Sequence, residues 1–403
     1  MKYIIIIGDG MSDEPVIALG GNTPLEQAKT PKLDILSKKS RLGMVRTIPE
    51  GMSPGSDTAN LSVLGFDPRK YYSGRSPLEA LNIGAPMADG DIAMRLNLVT
   101  ISEESSDFAG QTIIDHSAGE ISTGDADILL TAVKEEMGAY LREHNLSIYT
   151  GTSYRHCLIW ENGEVLDFTA PHDVLGEVVG AYLPTDKVFR EMMERSFMVL
   201  HSHPINIERK KNGKNPANCF WFWGAGTKPL LPSFKEKTGK SGIMVSAVDL
   251  LKGIGLACGM KVVNVPGADG TLYTNYAGKV AAACDALLNE GIDFAYIHIE
   301  APDEMSHQGD LENKIKAIEY LDEKVISPVF ARLSESGEPF RLLIMPDHPT
   351  PLRLRTHTGE PVPFMLYDSN VVVSGELSYN EEDCASTGDY VEDGYRLIDE
   401  LLM

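Results

Sequence analysis

Short apolar runs that end abruptly in acidic and histidine residues constrain this chain more than any other feature. The run from Ile292 to Ile299 is mostly apolar and predicts a buried strand, yet "EAPDEMSHQGD" follows it directly. Strands of this kind belong to sheets that helices cover on both faces. The polar residues then lie at the end of the strand, where ligands gather in open α/β sheets.

Strand-like and helix-like segments alternate in the first and last parts of the chain. Helices are predicted from about Pro31 to Ser40, from Tyr276 to Asn289 and from Leu311 to Leu333. The predicted strands between them are Tyr3 to Ile7, "GMVRTI", "SGIMVSA", "MKVVNV", "DFAYIHIE", "FRLLIMP" and "VPFMLYD". This alternation predicts an α/β fold with a doubly wound sheet.

The middle of the chain has a different pattern. "DIAMRLNLVTI" alternates like a half-exposed antiparallel strand, and an amphipathic helix is predicted from Asp125 to Leu141. "YRHCLIWENGEVLDF" predicts a hairpin with its turn at Asn162 and Gly163. We therefore predict an α/β domain of residues 1–87 and 217–403, interrupted by a smaller α+β domain of residues 88–216.

Charge and cysteine content limit the classes of partner. The 36 basic and 58 acidic residues give a net charge of -22, which repels nucleic acids and anionic membrane surfaces. No apolar run approaches the roughly 20 residues that a transmembrane helix needs. The five cysteines are widely spaced and form no CxxC pair, so neither a disulfide framework nor a thiolate zinc site is predicted. We expect a cytoplasmic protein with no nucleic-acid or membrane partner, and we predict no particular oligomeric state.

Carboxylates and imidazoles follow three of the predicted strands. Each of these residues alone is compatible with a turn, a helix cap or a surface histidine. Together they point to one edge of one sheet, which unrelated caps have no reason to share. A mixed set of oxygen and nitrogen ligands suits two divalent ions such as Mn²⁺ or Zn²⁺, about 3.5 to 4 Å apart. The six candidate ligands are Asp9, Asp303, His307, Asp347, His348 and His357.

Ser56, in "PGSDTANLSVLG", follows a Pro-Gly turn and begins a predicted helix. A serine at this position is compatible with a helix N-cap. The N-terminus of a helix also receives phosphate groups, and a serine hydroxyl beside metal ions can attack phosphorus. The two roles do not exclude each other.

Seven segments resemble the archaeal-type cofactor-independent phosphoglycerate mutases, a family within the alkaline phosphatase superfamily. The segments are "GDGMSD", "GSDTANLSVLGFDP", "YSGRSPLEALN", "SAVDLLKGIG", "EAPDEMSHQGD", "PDHPTP" and "RTHTGEPVPF". The resemblance implies an alkaline-phosphatase-like fold and the interconversion of 3-phosphoglycerate and 2-phosphoglycerate in glycolysis and gluconeogenesis, without a diphosphorylated cofactor. It is weakest in the inserted domain, and Asn60 stands where related mutases often carry histidine.

The resemblance also implies a role for each candidate residue. Ser56 is expected to be the nucleophile that takes the phosphoryl group. Lys252 is expected near the leaving oxygen, although its amphipathic helix is equally compatible with a surface lysine. One metal ion is implied at Asp303, His307 and His357, and the second at Asp9, Asp347, His348 and the Ser56 oxygen. We expect Mn²⁺, with Zn²⁺, Co²⁺ or Mg²⁺ as alternatives.

The inserted domain is expected to be a substrate-binding lid, because water reaching the phosphoserine would turn a mutase into a phosphatase. Candidates for binding the glycerate are Arg95, His116, Arg155 and His156, since arginine chelates a carboxylate through two parallel hydrogen bonds. Each of them is equally compatible with a strand-face charge or a buried histidine. Two alternatives stay open: a phosphatase or another phosphomutase with the same machinery, and a metal-stabilised phosphometabolite-binding protein. A nucleophile beside a complete ligand set argues against the second.

Overall fold

The computed structural model describes all residues from Met1 to Met403, which form thirteen strands and sixteen α-helices. The strands are β1 (Lys2–Gly8), β2 (Ser40–Val45), β3 (Ile92–Ile101), β4 (Ile113–Asp115), β5 (Leu146–Thr152), β6 (Arg155–Trp160), β7 (Cys219–Thr227), β8 (Gly242–Val245), β9 (Lys261–Val262), β10 (Phe294–Ile299), β11 (Phe340–Met345), β12 (Val362–Asp368) and β13 (Tyr390–Val391). The helices are α1 (Pro24–Gln27), α2 (Pro31–Ser37), α3 (Ser56–Val63), α4 (Pro68–Tyr71), α5 (Arg75–Asn82), α6 (Thr123–Glu143), α7 (Lys187–Leu200), α8 (Pro204–Lys211), α9 (Phe234–Thr238), α10 (Asp249–Ala257), α11 (Tyr276–Asn289), α12 (Ala301–Gln308), α13 (Leu311–Leu321), α14 (Ser327–Ser336), α15 (Glu381–Ser386) and α16 (Leu397–Leu402).

The chain divides into two units, Met1–Tyr72 with Leu230–Met403, and Ser73–Pro229. The predicted domains were residues 1–87 with 217–403, and residues 88–216. One difference from the predicted bounds is the position of helix α5, which was predicted in the first domain and belongs to the second unit. Ala80 on this helix packs in one cluster with Ala93, Cys157 and Ile159 of the second unit's sheet.

An eight-stranded sheet in the order β13-β2-β12-β11-β1-β10-β8-β9 forms the centre of the first unit. Strand β1 runs parallel to both of its neighbours, β10 and β11, and β8 runs parallel to β10. Ile4 and Ile6 pack into a core that α2, α11 and α13 also line, and Ile5 and Ile7 on the opposite face are equally buried. The α/β fold predicted from the alternation of strands and helices is confirmed. The carboxyl ends of β1, β10 and β11 therefore meet at one edge of the sheet.

The second unit has a five-stranded sheet in which β3 pairs antiparallel with β4, β6 and β7, and β6 with β5. Leu96 and Leu158 on one face pack into a core with Leu130 of α6 and Phe189 of α7. The predicted antiparallel strand and amphipathic helix correspond to β3 and α6. This unit thus has its own core.

The hairpin predicted at Asn162 and Gly163 is wrong. Asn162 does adopt the left-handed conformation typical of such turns, with φ at 50°. However, no strand follows it, because β6 is already paired on both sides by β3 and β5. The hairpin is instead β5–β6, with Ser153 at a φ of 56° in its turn.

All five cysteines are free and buried. Two of them, Cys157 and Cys219, lie in the second unit, and the other three lie in the first. Among the helices, none combines the length and apolar character that crossing a membrane requires.

Candidate active site

Three neighbouring parallel strands bring the predicted metal ligands to one sheet edge. Asp9 follows β1, while Asp303 and His307 lie on α12, which begins after β10. Asp347 and His348 follow β11. Because β1 lies between β10 and β11, residues that are far apart in sequence become neighbours.

Asp9, His298 and Asp347 form what we call the buried cluster, in which one ligand atom from each residue lies within 4.8 Å of the others. Asp347 Oδ1 accepts hydrogen bonds from the backbone amides of Gly10 at 3.2 Å and His348 at 3.0 Å. Asp9 Oδ2 lies 3.2 Å from His298 Nε2. Asp9 Oδ1, in contrast, is buried without any hydrogen-bond partner.

The electrostatics of Asp9 fit a bound cation. Burial raises the pKa of its carboxyl well above the usual value, and the charges of Asp347 and Asp303 raise it further. A carboxylate in such a place is stabilised by a positive charge, and the unpartnered Oδ1 offers it a ligand. The residues present therefore fit a divalent metal ion.

Asp303, His307 and His357 form the outer cluster, whose side chains are 14%, 37% and 22% exposed. Asp303 Oδ2 lies 3.1 Å from His307 Nε2, and Asp303 Oδ1 lies 3.5 Å from His357 Nε2. The two histidine Nε2 atoms are 3.1 Å apart. Thr350 Oγ1 donates to Asp303 Oδ1 at 2.6 Å, which fixes the carboxylate. Asp303 and His357 also form a group with His348, in which one ligand atom from each residue lies within 4.8 Å of the others.

His348 lies between the two clusters. Its Nε2 atom is 3.4 Å from both Asp9 Oδ1 and Asp347 Oδ2, and its ring centroid is 4.1 Å from that of His357. The same Nε2 atom lies 3.1 Å from Ser56 Oγ. The structure therefore brings all six predicted ligands and the predicted nucleophile together.

Ser56 is the first residue of α3, and the N-cap is Gly55. The hydroxyl therefore does not serve as the helix cap, which was the alternative role for this residue. It lies at a helix N-terminus, where the backbone amides favour an anion. A phosphoryl group on Ser56 is compatible with this position.

Lys252 lies on α10, which follows β8 at the same end of the sheet. Its side chain is 13% exposed, and Nζ lies 3.7 Å from Asp249 Oδ1 on the same helix. Its role near the leaving oxygen stays a prediction.

A second group of polar residues surrounds Arg95 in the other unit. Arg95 Nε lies 2.6 Å from Glu79 Oε2, and its guanidinium lies 4.5 Å from the centre of the Trp223 ring. Burial alone would raise the pKa of Glu79, but Arg95 and then Arg75 lower it. The carboxylate thus stays charged among several arginines.

His116 and Arg155 belong to the same group. The His116 ring contacts the rings of Tyr154 and His172, with centroids 5.9 Å and 6.1 Å apart. The Arg155 guanidinium lies 5.2 Å from the centre of the Tyr154 ring. Arg95 and Arg155 project from the same face of the sheet, since they are opposite Cys157 and Asn97 in the β3–β6 pairing.

His156, the fourth residue predicted to bind substrate, points to the opposite face. It is buried there, and its Nδ1 atom accepts a hydrogen bond from the Gly151 amide at 3.2 Å. Burial lowers its pKa to about 3. The structure therefore does not bring His156 together with Arg95, His116 and Arg155.

Several residues of these groups were not predicted from the sequence. His298 sits inside an apolar strand, and only its spacing of two from Tyr296 and Glu300 distinguishes it from a core residue. Glu79, His172 and Trp223 carry no signal of their own, because they meet Arg95 and His116 only through the fold.

The sequence is similar to those of known proteins over its whole length. A family model described as 2,3-bisphosphoglycerate-independent phosphoglycerate mutase matches residues 37–206. A probable mutase of this name from Geobacter sulfurreducens is 46% identical over 407 residues, covering 100% of both chains. The corresponding protein of Methanosarcina acetivorans is 44% identical, covering 96% of each chain. The solved cofactor-independent phosphoglycerate mutase from Thermoplasma acidophilum is 29% identical with a TM-score of 0.66, covering 100% of this chain and 99% of that one. The chain therefore belongs to the 2,3-bisphosphoglycerate-independent phosphoglycerate mutases of the archaeal type, a family of isomerases.

Proposed function

We propose that this protein interconverts 3-phosphoglycerate and 2-phosphoglycerate through a phosphoserine at Ser56, in glycolysis and gluconeogenesis. The observation that carries the proposal is the position of Ser56 Oγ, 3.1 Å from His348 Nε2 and at the N-terminus of α3. A protein that only bound a phosphometabolite would have no need of a hydroxyl there.

The absence of disulfides supports our further proposal that the protein works in the cytoplasm.

We assign the ligands of two divalent ions, with Mn²⁺ first among the candidates. Asp303, His307 and His357 would hold one ion, and Asp9, Asp347, His348 and the Ser56 oxygen the other. When bound, the ions supply the positive charge that a phosphomonoester needs in a protein of net charge -22.

The proposed reaction uses Ser56 twice. In the first half, the Ser56 Oγ–P bond forms while the bond between phosphorus and the glycerate oxygen breaks. The serine loses its proton, and the leaving oxygen gains one, for which Lys252 is the proposed donor. In the second half, the other glycerate hydroxyl takes the phosphoryl group and the same changes run in reverse.

The glycerate has to stay bound between the two halves. We propose that Arg95, His116 and Arg155 in the second unit bind it, because arginines in a group with aromatic rings suit a small carboxylate. The second unit is then the lid that excludes water from the phosphoserine. Because His156 lies on the opposite face of the sheet, we leave it out of this set.

Phosphorus NMR tests this proposal directly. Metal-stripped and Mn²⁺-restored protein are incubated with 3-phosphoglycerate, with no diphosphoglycerate added, while 2-phosphoglycerate and free phosphate are followed together. Metal-dependent 2-phosphoglycerate without matching phosphate is the expected result. Release of phosphate alone would make the protein a phosphatase and would contradict the proposed lid.

A further inference from the structure

Strand β10 carries polar side chains on a face where a central strand normally carries only apolar ones. Ala295, Ile297 and Ile299 pack into the hydrophobic core of the first unit. The alternate residues Tyr296 and His298 project to the other face and are completely buried. Glu300, directly after the strand, continues the series and is 4% exposed. Burying three such groups costs free energy unless each is hydrogen-bonded, so their partners are informative.

His298 connects Glu300 to Asp9. Its Nδ1 atom lies 3.3 Å from Glu300 Oε1, and its Nε2 atom lies 3.2 Å from Asp9 Oδ2. Because both ring nitrogens face carboxylates, the orientation of the imidazole is fixed. His298 Nε2 thus faces Asp9 Oδ2, although the two atoms lack hydrogen-bond geometry, and Asp9 Oδ1, which lies near His348, has no hydrogen-bond donor.

Glu300 is itself fixed from two sides. Its Oε1 atom accepts hydrogen bonds from the Ala247 amide at 2.7 Å and from Ser246 Oγ at 3.2 Å. Its Oε2 atom pairs with the completely buried Lys279 of α11, which also donates to the His298 carbonyl at 3.0 Å. The chain of contacts from Lys279 to Asp9 therefore contains no exposed member.

Tyr296 acts on the other carboxylate of the buried cluster. Its hydroxyl donates to Asn60 Oδ1, which fixes the orientation of the amide. Asn60 Nδ2 then donates to Asp347 Oδ2 at 2.8 Å and to the Ser56 carbonyl at 2.8 Å. Asn60, which had no assigned role, thus connects β10 to a metal ligand and to the backbone of the nucleophile.

We infer that Tyr296, His298 and Glu300 are positioning residues for one of the two metal ions. Tyr296 acts on Asp347 through Asn60, and Glu300 acts on Asp9 through His298. We do not count His298 among the ligands, because both of its ring nitrogens face carboxylates. The inference rests on the metal ligands of the proposed function and goes beyond them. It is specific to one ion, because the outer-cluster carboxylate Asp303 is held instead by Thr350. Partners of metal ligands typically change metal affinity 10- to 100-fold when they are removed.

Tyr379 provides a matched control for Tyr296. Both tyrosines are buried, and both hydroxyls donate hydrogen bonds, but Tyr379 donates to the carbonyls of Ile344 and Pro363. Y296F and Y379F therefore remove the same atom from similar surroundings. A purely structural role predicts equal effects of the two substitutions.

The experiment measures Mn²⁺ binding to the metal-stripped full chain, with free Mn²⁺ followed by EPR. In an H307A background, which removes an outer-cluster ligand, the remaining binding reports on the buried cluster. There, Y296F and H298Q are expected to weaken Mn²⁺ binding 10- to 100-fold, and Y379F less than twofold. In a D9N background, which leaves the outer cluster, Y296F is expected to change binding less than twofold.

Two outcomes would overturn the inference: Y296F weakening binding no more than Y379F, or weakening it equally in both backgrounds. If H298Q does not fold, the comparison of Mn²⁺ binding by Y296F and Y379F still tests the inference. Failure of the proposed function looks different, since the wild-type chain would then bind Mn²⁺ without interconverting the phosphoglycerates.

Discussion

Ser56 and Ser62 lie on the same short helix and give a matched pair of substitutions. S56A removes the proposed nucleophile and is expected to lower kcat by about 10³ or more, because no other hydroxyl takes its place. S62A removes a buried hydroxyl that has no hydrogen-bond partner, so the kcat of this variant is expected to stay within about twofold of the wild-type value. The rate of 2-phosphoglycerate formation and the retention of phosphate on the protein are the measurements. An S56A protein with half of the normal rate would contradict the phosphoserine.

Arg95 and His156 are neighbours in the sheet but point to opposite faces. R95K keeps the charge but loses the planar fork that binds a carboxylate, so we expect KM for 3-phosphoglycerate to rise about tenfold, or about 1.4 kcal/mol. H156Q is expected to leave KM unchanged, whatever it does to stability. Steady-state kinetics of the two variants check this prediction. If KM changed only in H156Q, the substrate would bind on the face of the sheet that carries His156, and the assignment of Arg95 would be contradicted.

Candidate ligands were predictable from the sequence where a charged residue directly follows an apolar run. Asp9 and Asp347 stand out in this way because a strand end imposes a sharp change from apolar to polar. His298 and Lys279 do not stand out, since one lies within an apolar strand and the other looks like any lysine on a helix. Their contacts depend on packing between α11, β8 and β10, which no local pattern encodes.

The turn after β1 offers a test at the scale of an element. Gly10 has a φ of 59°, and a Cβ atom there would lie 2.5 Å from Asp303 Oδ1 and 2.6 Å from Thr350 Oγ1. Gly20 has a φ of 73°, but a Cβ atom there would meet nothing within 4 Å. G10A and G20A therefore share a strain of about 1 to 2 kcal/mol, and only G10A displaces a proposed ligand.

We expect G10A to lower both Mn²⁺ affinity and kcat at least tenfold, and G20A to lower only the free energy of unfolding. Metal titration and denaturant unfolding of both variants make the comparison. Equal Mn²⁺ affinities would mean that Asp303 tolerates the displacement or is not a ligand.

Elements with a strong pattern were predicted better than elements whose identity depends on their neighbours. The apolar runs of β1, β10 and β11 and the amphipathic α6 are recognisable because burial imposes their period. The wrong hairpin at Asn162 arose because a turn signal fixes the backbone locally but does not supply a free strand edge to pair with. The order of strands in the sheet, with β6 between β3 and β5, leaves no edge of β6 free for a further strand.

At the scale of the whole molecule, both ligand clusters belong to the first unit. Mn²⁺ added to metal-stripped protein is therefore expected to stabilise that unit against heat, by about 2.7 kcal/mol per site at 100 times Kd. Calorimetry over a series of Mn²⁺ concentrations measures the shift in Tm. D9N should show about half of the stabilisation, and a Tm independent of Mn²⁺ would contradict the assigned ligands.

An insertion in the α/β pattern could be proposed from the sequence because the strand pattern changes from buried runs to alternation and back. The place of α5 was not predictable, since this helix looks the same in sequence whichever sheet it covers. Only the contacts of Ala80 with Ala93 and Cys157 assign it to the second unit.

The burial of every cysteine gives the protein five internal reporters. Burial raises the pKa of the Cys157, Cys219, Cys258 and Cys384 thiols to about 12 and that of Cys284 to about 11, so the folded chain offers no reactive thiolate at neutral pH. An alkylating reagent then modifies a cysteine only after its surroundings open. Since Cys157 and Cys219 belong to the second unit and the other three cysteines to the first, mass spectrometry of the labelled peptides would identify which unit had opened, without any engineered probe.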